Sequence, residues 1–196
     1  MHYLPVKFSF FSAIVCSAMA FSCLPLQAAA PIKSSGNNFV KESKAKTDKA
    51  IAIISPAKGS TVKGIVNFTS VEGGVKIVAD LEGLKPGKHG FHIHEYGDCS
   101  APDFSSAGNH FNPNKGKHAG PDDPYRHAGD LGNLEAESDG KAHFEWVDNL
   151  ITLDGENGIV GKSVVVHADP DDFHTQPSGA SGAKIGCGVI QAVATE

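Results

Sequence analysis

Residues 90–98 read Gly90-Phe91-His92-Ile93-His94-Glu95-Tyr96-Gly97-Asp98, and the alternation at their centre decides the fold. Side chains of a strand point alternately to opposite faces, so if Phe91 and Ile93 face a core, His92 and His94 share the outer face. The same parity holds in Ser163-Val164-Val165-Val166-His167, which turns Val164 and Val166 inward and leaves Val165 and His167 outside. Two strands therefore present histidine on the outer wall of the core they enclose.

Outward from these strands, the chain from Ala50 is a series of short β runs punctuated by glycine and proline. The expected strands are Ala50–Ser55, Val62–Ser70, Val75–Leu81, Gly90–Glu95, Leu131–Glu137, Lys141–Val147, Ser163–His167 and Gly188–Val193. Glu72-Gly73-Gly74 and Asp139-Gly140 are hairpin signals, and Lys85-Pro86-Gly87-Lys88 marks another sharp turn. Eight short strands with no amphipathic helix between them predict an all-β sandwich or barrel. Two connections break the rhythm, Tyr96 to Asp130 and Ala168 to Cys187. Loops of that length in a compact domain are functional or disordered, and both begin directly after a histidine-bearing strand.

Those connections carry the rest of a histidine-rich set: His110 in HFNP, His118 in KHAGP, and His127 with Asp130 in RHAGD. Neutral imidazoles ligate both copper and zinc, and a carboxylate adds anionic charge suited to zinc. Taken singly, each has an ordinary reading. A His-x-His occurs on many strands, His127-x-x-Asp130 could cap a turn, and His110 could be a plain loop residue. Together with His92, His94 and His167 the spacings suit two adjoining metal ions, and loop order should then depend on metal. His89 reads as a structural hydrogen-bonding residue, and His143 and His174 as surface residues. Asn67-Phe68-Thr69 is formally a glycosylation sequon within an expected strand.

The first thirty residues read as a signal peptide, with Lys7, a largely apolar run from Phe8 to Leu26, and small residues up to Ala30 before Pro31. Residues 31–49 read as a flexible polar leader, which leaves residues 50–196 as the folded domain. No stable membrane anchor is expected after cleavage. None of the acidic side chains precedes residue 31, so the exported portion is at least as acidic as the whole chain, whose formal charge is −5. That balance argues against nucleic acid as a partner. Cys16 and Cys23 leave with the signal. The remaining pair, Cys99 and Cys187, most simply forms one disulfide in an oxidising compartment, two buried thiols being the alternative. The chain-entropy model sets a ceiling of about 4–5 kcal/mol on what such a bridge contributes.

The segments GFHIHEYGD, SAGNHFNP, KHAGP, RHAGDLGN, VVVHADPDD and GCGVI together resemble the copper/zinc superoxide dismutases, over roughly Ala50 to Ala194. The resemblance implies an eight-stranded Greek-key β-barrel, an immunoglobulin-like sandwich with two long functional loops. It implies one copper per subunit on His92, His94, His110 and His167, and one zinc per subunit on His110, His118, His127 and Asp130, with His110 shared. It also pairs Cys99 with Cys187. The implied activity is dismutation of superoxide to dioxygen and hydrogen peroxide by a copper that alternates between oxidation states, His110 passing a proton to the product. Asp171 matches the family's carboxylate between a copper histidine and a zinc histidine, here His92 and His118, with Asp172 a close competitor. Lys184 stands where the family commonly has an arginine that attracts the anion, so the charge remains but the planar fork of donors is lost.

Cys99 directly after Gly97-Asp98 is similar to exported bacterial members, which with the signal peptide points to the periplasm, a secreted extracellular form being the alternative. Family members are often homodimers. A non-catalytic copper or zinc carrier on the same barrel is the rival class, but it would be expected to lack one or more copper positions, and none is missing. An interaction module would need neither the shared His110 nor two complete ligand sets.

Overall fold

The computed structural model describes residues 46–194. The signal-like segment and the leader up to residue 45 lie outside the described residues. Within them, no helix is long and apolar enough to cross a membrane.

Eight strands build the barrel: β1 Lys49–Pro56, β2 Lys63–Val71, β3 Gly74–Glu82, β4 Gly87–His94, β5 Asp130–Ala136, β6 Ala142–Asp148, β7 Ser163–His167 and β8 Lys184–Val189. A two-residue β9, Gln191–Ala192, pairs with β1. The hydrogen-bonded order is β5-β4-β7-β8-β1-β2-β3-β6, and each neighbouring pair in it is antiparallel. Its end strands, β5 and β6, are joined by the tight 137–141 hairpin, where Gly140 N donates to Glu137 O, and the barrel is nearly closed. The connections β3→β4 and β6→β7 cross between non-adjacent strands, which gives the Greek-key character.

The core follows strand parity. Phe68, Ile77, Phe91, Ile93, Leu131, Leu134, Val164 and Val166 are all fully or almost fully buried within one cluster. Burial of a large apolar side chain stabilises by about 1.5–3 kcal/mol. Phe91 meets Phe144 edge-on at 5.4 Å between ring centroids. Val165 faces the other way, into a satellite cluster with Phe104, Ala107 and Cys187 beneath the β4–β5 connection. The disulfide Cys99–Cys187, with a Cα–Cα distance of 5.9 Å, ties that connection to β8.

Two features differ from the sequence expectation. The last barrel strand starts at Lys184, not Gly188, and the chain then leaves it for β9. Glycines at 186 and 188 lower strand propensity, but here they admit close packing: a Cβ at Gly188 would lie 2.6 Å from Ile53 O, and one at Gly186 would lie 2.9 Å from Ile54 Cγ2. A third extended connection, between β6 and β7, buries Ile151, Leu153 and Ile159 in the main core and is pinned by Asn157 Nδ2 donating to Leu150 O at 2.9 Å.

Candidate metal centre

His92 and His94 project from the outer face of β4 and His167 from the end of β7, whose residues Val164 and Val165 pair with Ile93 and His92. The β4–β5 connection folds back over this wall. His110 bridges to His94 in the antiparallel sense, Phe111 N donates to Ile93 O at 2.8 Å, and Gly129 N donates to Phe111 O at 2.9 Å. Loop residues distant in sequence are thus stitched to the strand that already carries two histidines. Two groups of side chains result: His92, His94, His110 and His167, and His110, His118, His127 and Asp130, each offering ligand atoms within 4.8 Å of one another. All seven residues are buried, and His110 belongs to both groups.

The second group converges on one carboxylate oxygen. Asp130 Oδ1 lies 2.7 Å from His110 Nδ1, 3.1 Å from His118 Nδ1 and 3.3 Å from His127 Nδ1. Tetrahedral zinc with bonds of about 2.0–2.1 Å sets its ligand atoms about 3.3 Å apart, so a small contraction or expansion is all that separates this arrangement from a closed zinc shell. Asp130 Oδ2 is held by the backbone amides of His127 at 3.1 Å and Ala119 at 3.2 Å. In the first group His94 Nε2 and His167 Nε2 face each other at 3.3 Å, their Nδ1 atoms being engaged by Gly108 O and Gly182 O.

Unpartnered atoms test whether metals fit. Among the described residues five buried side-chain polar atoms lack a hydrogen-bond partner, and four are His92 Nδ1, His110 Nε2, His118 Nδ1 and His127 Nδ1. Each buried orphan costs about 1–3 kcal/mol. Their convergence is therefore explained by cations that take up the lone pairs, and the donor sets, four imidazoles and three imidazoles with one carboxylate, fit copper and zinc respectively.

Burial dominates the electrostatics of the first group. It pushes His94 and His167 well below the ordinary histidine range, lowers His92 against the pull of Asp171, and lowers His110 to about 4. These rings are neutral at pH 7, with lone pairs free to ligate. At His118 burial opposes charge, but Asp130 and Asp171 outweigh it and raise the ring to about 9. That proton must leave before Nδ1 can ligate a cation. Burial likewise opposes charge on Asp130 and Asp171, yet hydrogen bonds from the histidines hold both carboxyls far below their usual range.

Asp171 links the two groups. Its Oδ2 lies 2.7 Å from His92 Nε2 and its Oδ1 lies 2.8 Å from His118 Nε2. Its neighbour Asp172 instead accepts from the backbone of His174 and Thr175 and caps a turn. Lys184 is half-buried and lines, with His94, His110, His167 and Glu95, a cleft of about 430 Å³ that opens the first group to solvent. A larger hollow of about 880 Å³ beyond Lys184 contains none of the seven residues and no buried unpartnered polar atom, so the chemistry belongs to the smaller cleft. His89 is buried between the carbonyls of His167 and Lys85, 2.8 Å from each, and joins neither group. His143 lies at the surface 2.7 Å from Asp80.

Sequence reasoning did not single out four supporting residues. Arg126 donates from Nε to Asp130 O at 3.1 Å and forms a buried ion pair with Asp148 at 2.5 Å, anchoring the His127–Asp130 turn to β6. Asn133 pairs with the backbone of Asp171 through two hydrogen bonds of 2.7 and 2.9 Å. Gln176 pairs in the same way with the backbone of His118. At Gly179, where φ is +70°, a Cβ would stand 1.9 Å from Asp171 Oδ1 and 2.6 Å from His118 Nε2, so any other residue would collide with that hydrogen bond.

Comparison with known proteins agrees with this centre. The family model described as copper/zinc superoxide dismutase (SODC) matches residues 62–190. The chain is 45% identical over 149 residues to superoxide dismutase [Cu-Zn] 5 of Dictyostelium discoideum, covering 72% of this chain and 95% of that protein. Among solved structures, one titled as the clock protein EA4 superposes with a TM-score of 0.71 at 38% identity, covering 76% of this chain and 98% of the other.

Proposed function

The chain belongs to the copper/zinc superoxide dismutase family, and from that premise and the paired histidine groups we infer how its residues serve the reaction. It is an enzyme that dismutes superoxide into dioxygen and hydrogen peroxide, with copper and zinc as cofactors. The observation that carries the assignment of residues is the double membership of His110. Its Nδ1 faces the Asp130 carboxylate while its Nε2 is buried and unpartnered on the side of His92, His94 and His167.

We assign copper to His92, His94, His110 and His167, and zinc to His110, His118, His127 and Asp130. When bound, copper supplies one-electron redox chemistry and zinc a fixed positive charge that orients the shared ring. His110 Nε2 is the atom that can take up a proton and release it into the cleft, because its opposite nitrogen is held by the Asp130 side. Asp171 fixes which nitrogens of His92 and His118 face inward, the task of a carboxylate hydrogen-bonded to ligating histidine. The experiment is metal content of the purified mature domain, paired with superoxide consumption before and after copper removal and restoration. Near one copper and one zinc per chain, with activity following copper, is expected. Zinc without copper, or copper without activity, would move the assignment to a metal carrier.

Lys184 is the cation that draws superoxide into the cleft. The described chain is acidic overall, so attraction rests on local positive potential and the rate should fall as salt rises. Lys184→Ala is expected to lower kcat/KM about tenfold, and Lys184→Arg to restore or exceed the parent value and tighten inhibition by small anions. An unchanged rate and unchanged anion inhibition in both variants would remove Lys184 from this role.

Export to the periplasm is supported by the signal-like residues 1–30, followed by the 31–49 leader, and by a disulfide suited to an oxidising compartment. N-terminal sequencing of the mature protein from a periplasmic fraction tests both cleavage near Ala30 and location; recovery from the medium alone would favour the secreted form. Homodimer formation is supported by the outer face of β1 and β2, where Ile53 and Ile65 are cross-strand partners exposed by 68% and 43%. Sedimentation reads the state directly, and a monomer at micromolar concentration would count against it.

A further inference from the structure

We propose that Gln176 is a positioning residue for the zinc side of the centre, holding the backbone of His118 in register so that the β7–β8 connection sets the geometry of the zinc position. This rests on the zinc assignment above. Gln176 Oε1 accepts from His118 N at 2.9 Å, and Gln176 Nε2 donates to His118 O at 2.8 Å and to His174 O at 3.2 Å. The amide thus uses both donors and its acceptor, and it grips the backbone N–H and C=O of one residue, on either side of its Cα, from a point 58 residues away in the chain.

His118 is held at two places by the same connection. Its ring is fixed by Asp171 at 2.8 Å and its backbone by Gln176. The ring contact sets the tautomer and Ala119 N is tied to Asp130 Oδ2 at 3.2 Å, but neither holds the backbone N–H and C=O of His118 itself. With the Gln176 contacts added the position of Nδ1 is determined, and Nδ1 is the buried, unpartnered atom 3.1 Å from Asp130 Oδ1. On the far side, the residues that follow Gln176, Pro177 and Ser178, line the cleft over His94 and His167. One side chain therefore couples the wall of the copper cleft to a zinc ligand without touching either metal position. Outer partners that orient ligating histidines change metal affinity about 10- to 100-fold. A backbone clamp at the exposed edge of the site belongs at the lower end of that range.

The test compares parent protein with Gln176→Ala and Gln176→Glu, all with copper and zinc loaded and the disulfide intact. Zinc transfer to a chromogenic chelator should be about tenfold faster in Gln176→Ala, while copper retention stays within twofold. Gln176→Glu keeps the acceptor for His118 N but sets a carboxylate against His118 O, so it should be intermediate or as fast. Cobalt(II) in the zinc position provides a second readout: its visible ligand-field bands should shift or broaden in Gln176→Ala, which looser loop packing alone would not produce. Unchanged zinc transfer and unchanged cobalt bands in both variants would overturn the proposal. Should Gln176→Ala fail to fold, Gln176→Glu decides on the same two readouts. A parent protein that takes up no zinc would instead overturn the underlying metal assignment.

Discussion

His110→Ala should abolish dismutation, reducing activity by more than about a hundredfold, equivalent to at least about 2.7 kcal/mol of lost transition-state stabilisation. Every other ligand candidate serves one group, whereas His110 serves both. Its loss removes a nitrogen from each group and the one ring whose Nε2 can take up a proton and release it into the cleft. It also leaves Asp130 Oδ1 without its shortest partner, the contact at 2.7 Å. His127→Ala is the informative companion, because among the two ligand groups His127 belongs only to the zinc one, so the variant should retain copper and a measurable part of the activity. The check is metal content by atomic spectroscopy alongside the dismutation rate. If His110→Ala kept both metals and an activity within tenfold of the parent, the shared-histidine reading would be wrong.

Loss of the Cys99–Cys187 bridge should produce the largest change in stability. The two residues are 88 apart in sequence, and cross-linking a loop of that size restricts the unfolded chain by about 4–5 kcal/mol at most. Domains of this kind have about 5–15 kcal/mol in total, so the ceiling on the bridge's contribution runs from about a third of the total for the most stable of them to nearly all of it for the least. Packing adds to this, because Cys187 sits with Phe104, Ala107 and Val165 in a cluster that has no other covalent anchor. In a Cys99→Ser, Cys187→Ser double variant, the thermal midpoint of the metal-free domain should fall by about 10 °C. The effect should reach the copper side, since the same loop carries Gly108 O, which engages His94 Nδ1 at 2.9 Å, and Asn109 N, which donates to Glu95. Copper affinity should drop with the midpoint. Calorimetry of the metal-free variants and copper titration check the two parts separately, and a midpoint within 2 °C of the parent would show that the loop is held by packing alone.

The signals available in the chain differ by distance. Parity in Phe91-His92-Ile93-His94 is a local property, and it set both the barrel wall and the outward face of the histidines. The shared ends of the two long connections pointed to the same wall because each starts at a histidine strand. The β8 boundary was obscured because glycine lowers strand propensity, whereas the fit of Gly186 against Ile54 and of Gly188 against Ile53 exists only once β1 lies alongside. Asp171 and Asp172 were near-equivalent in sequence. In the fold, one turns inward between His92 and His118 and the other caps the following turn.

The supporting residues belong to a further level. Arg126 with Asp148, Asn133 with Asp171, and Gln176 with His118 are single side chains acting at separations of 22, 38 and 58 residues. No periodicity or motif marks such pairs, because their partners are ordinary carboxylates and peptide groups. Gly179 is needed only because two loops bring Asp171 Oδ1 and His118 Nε2 to the space its side chain would fill.

By itself the sequence determined the β class, the inward and outward faces of the histidine strands, the ligand types and the cysteine pair, because strand period, imidazole chemistry and thiol oxidation depend on residue identity and short spacing. Only the tertiary structure decided which nitrogen of each ring faces inward, which aspartate joins the two groups, and which amides and arginine hold the loops. Those choices arise where two long connections cross over one wall, and buried polar atoms there must find partners that only the folded chain brings within reach.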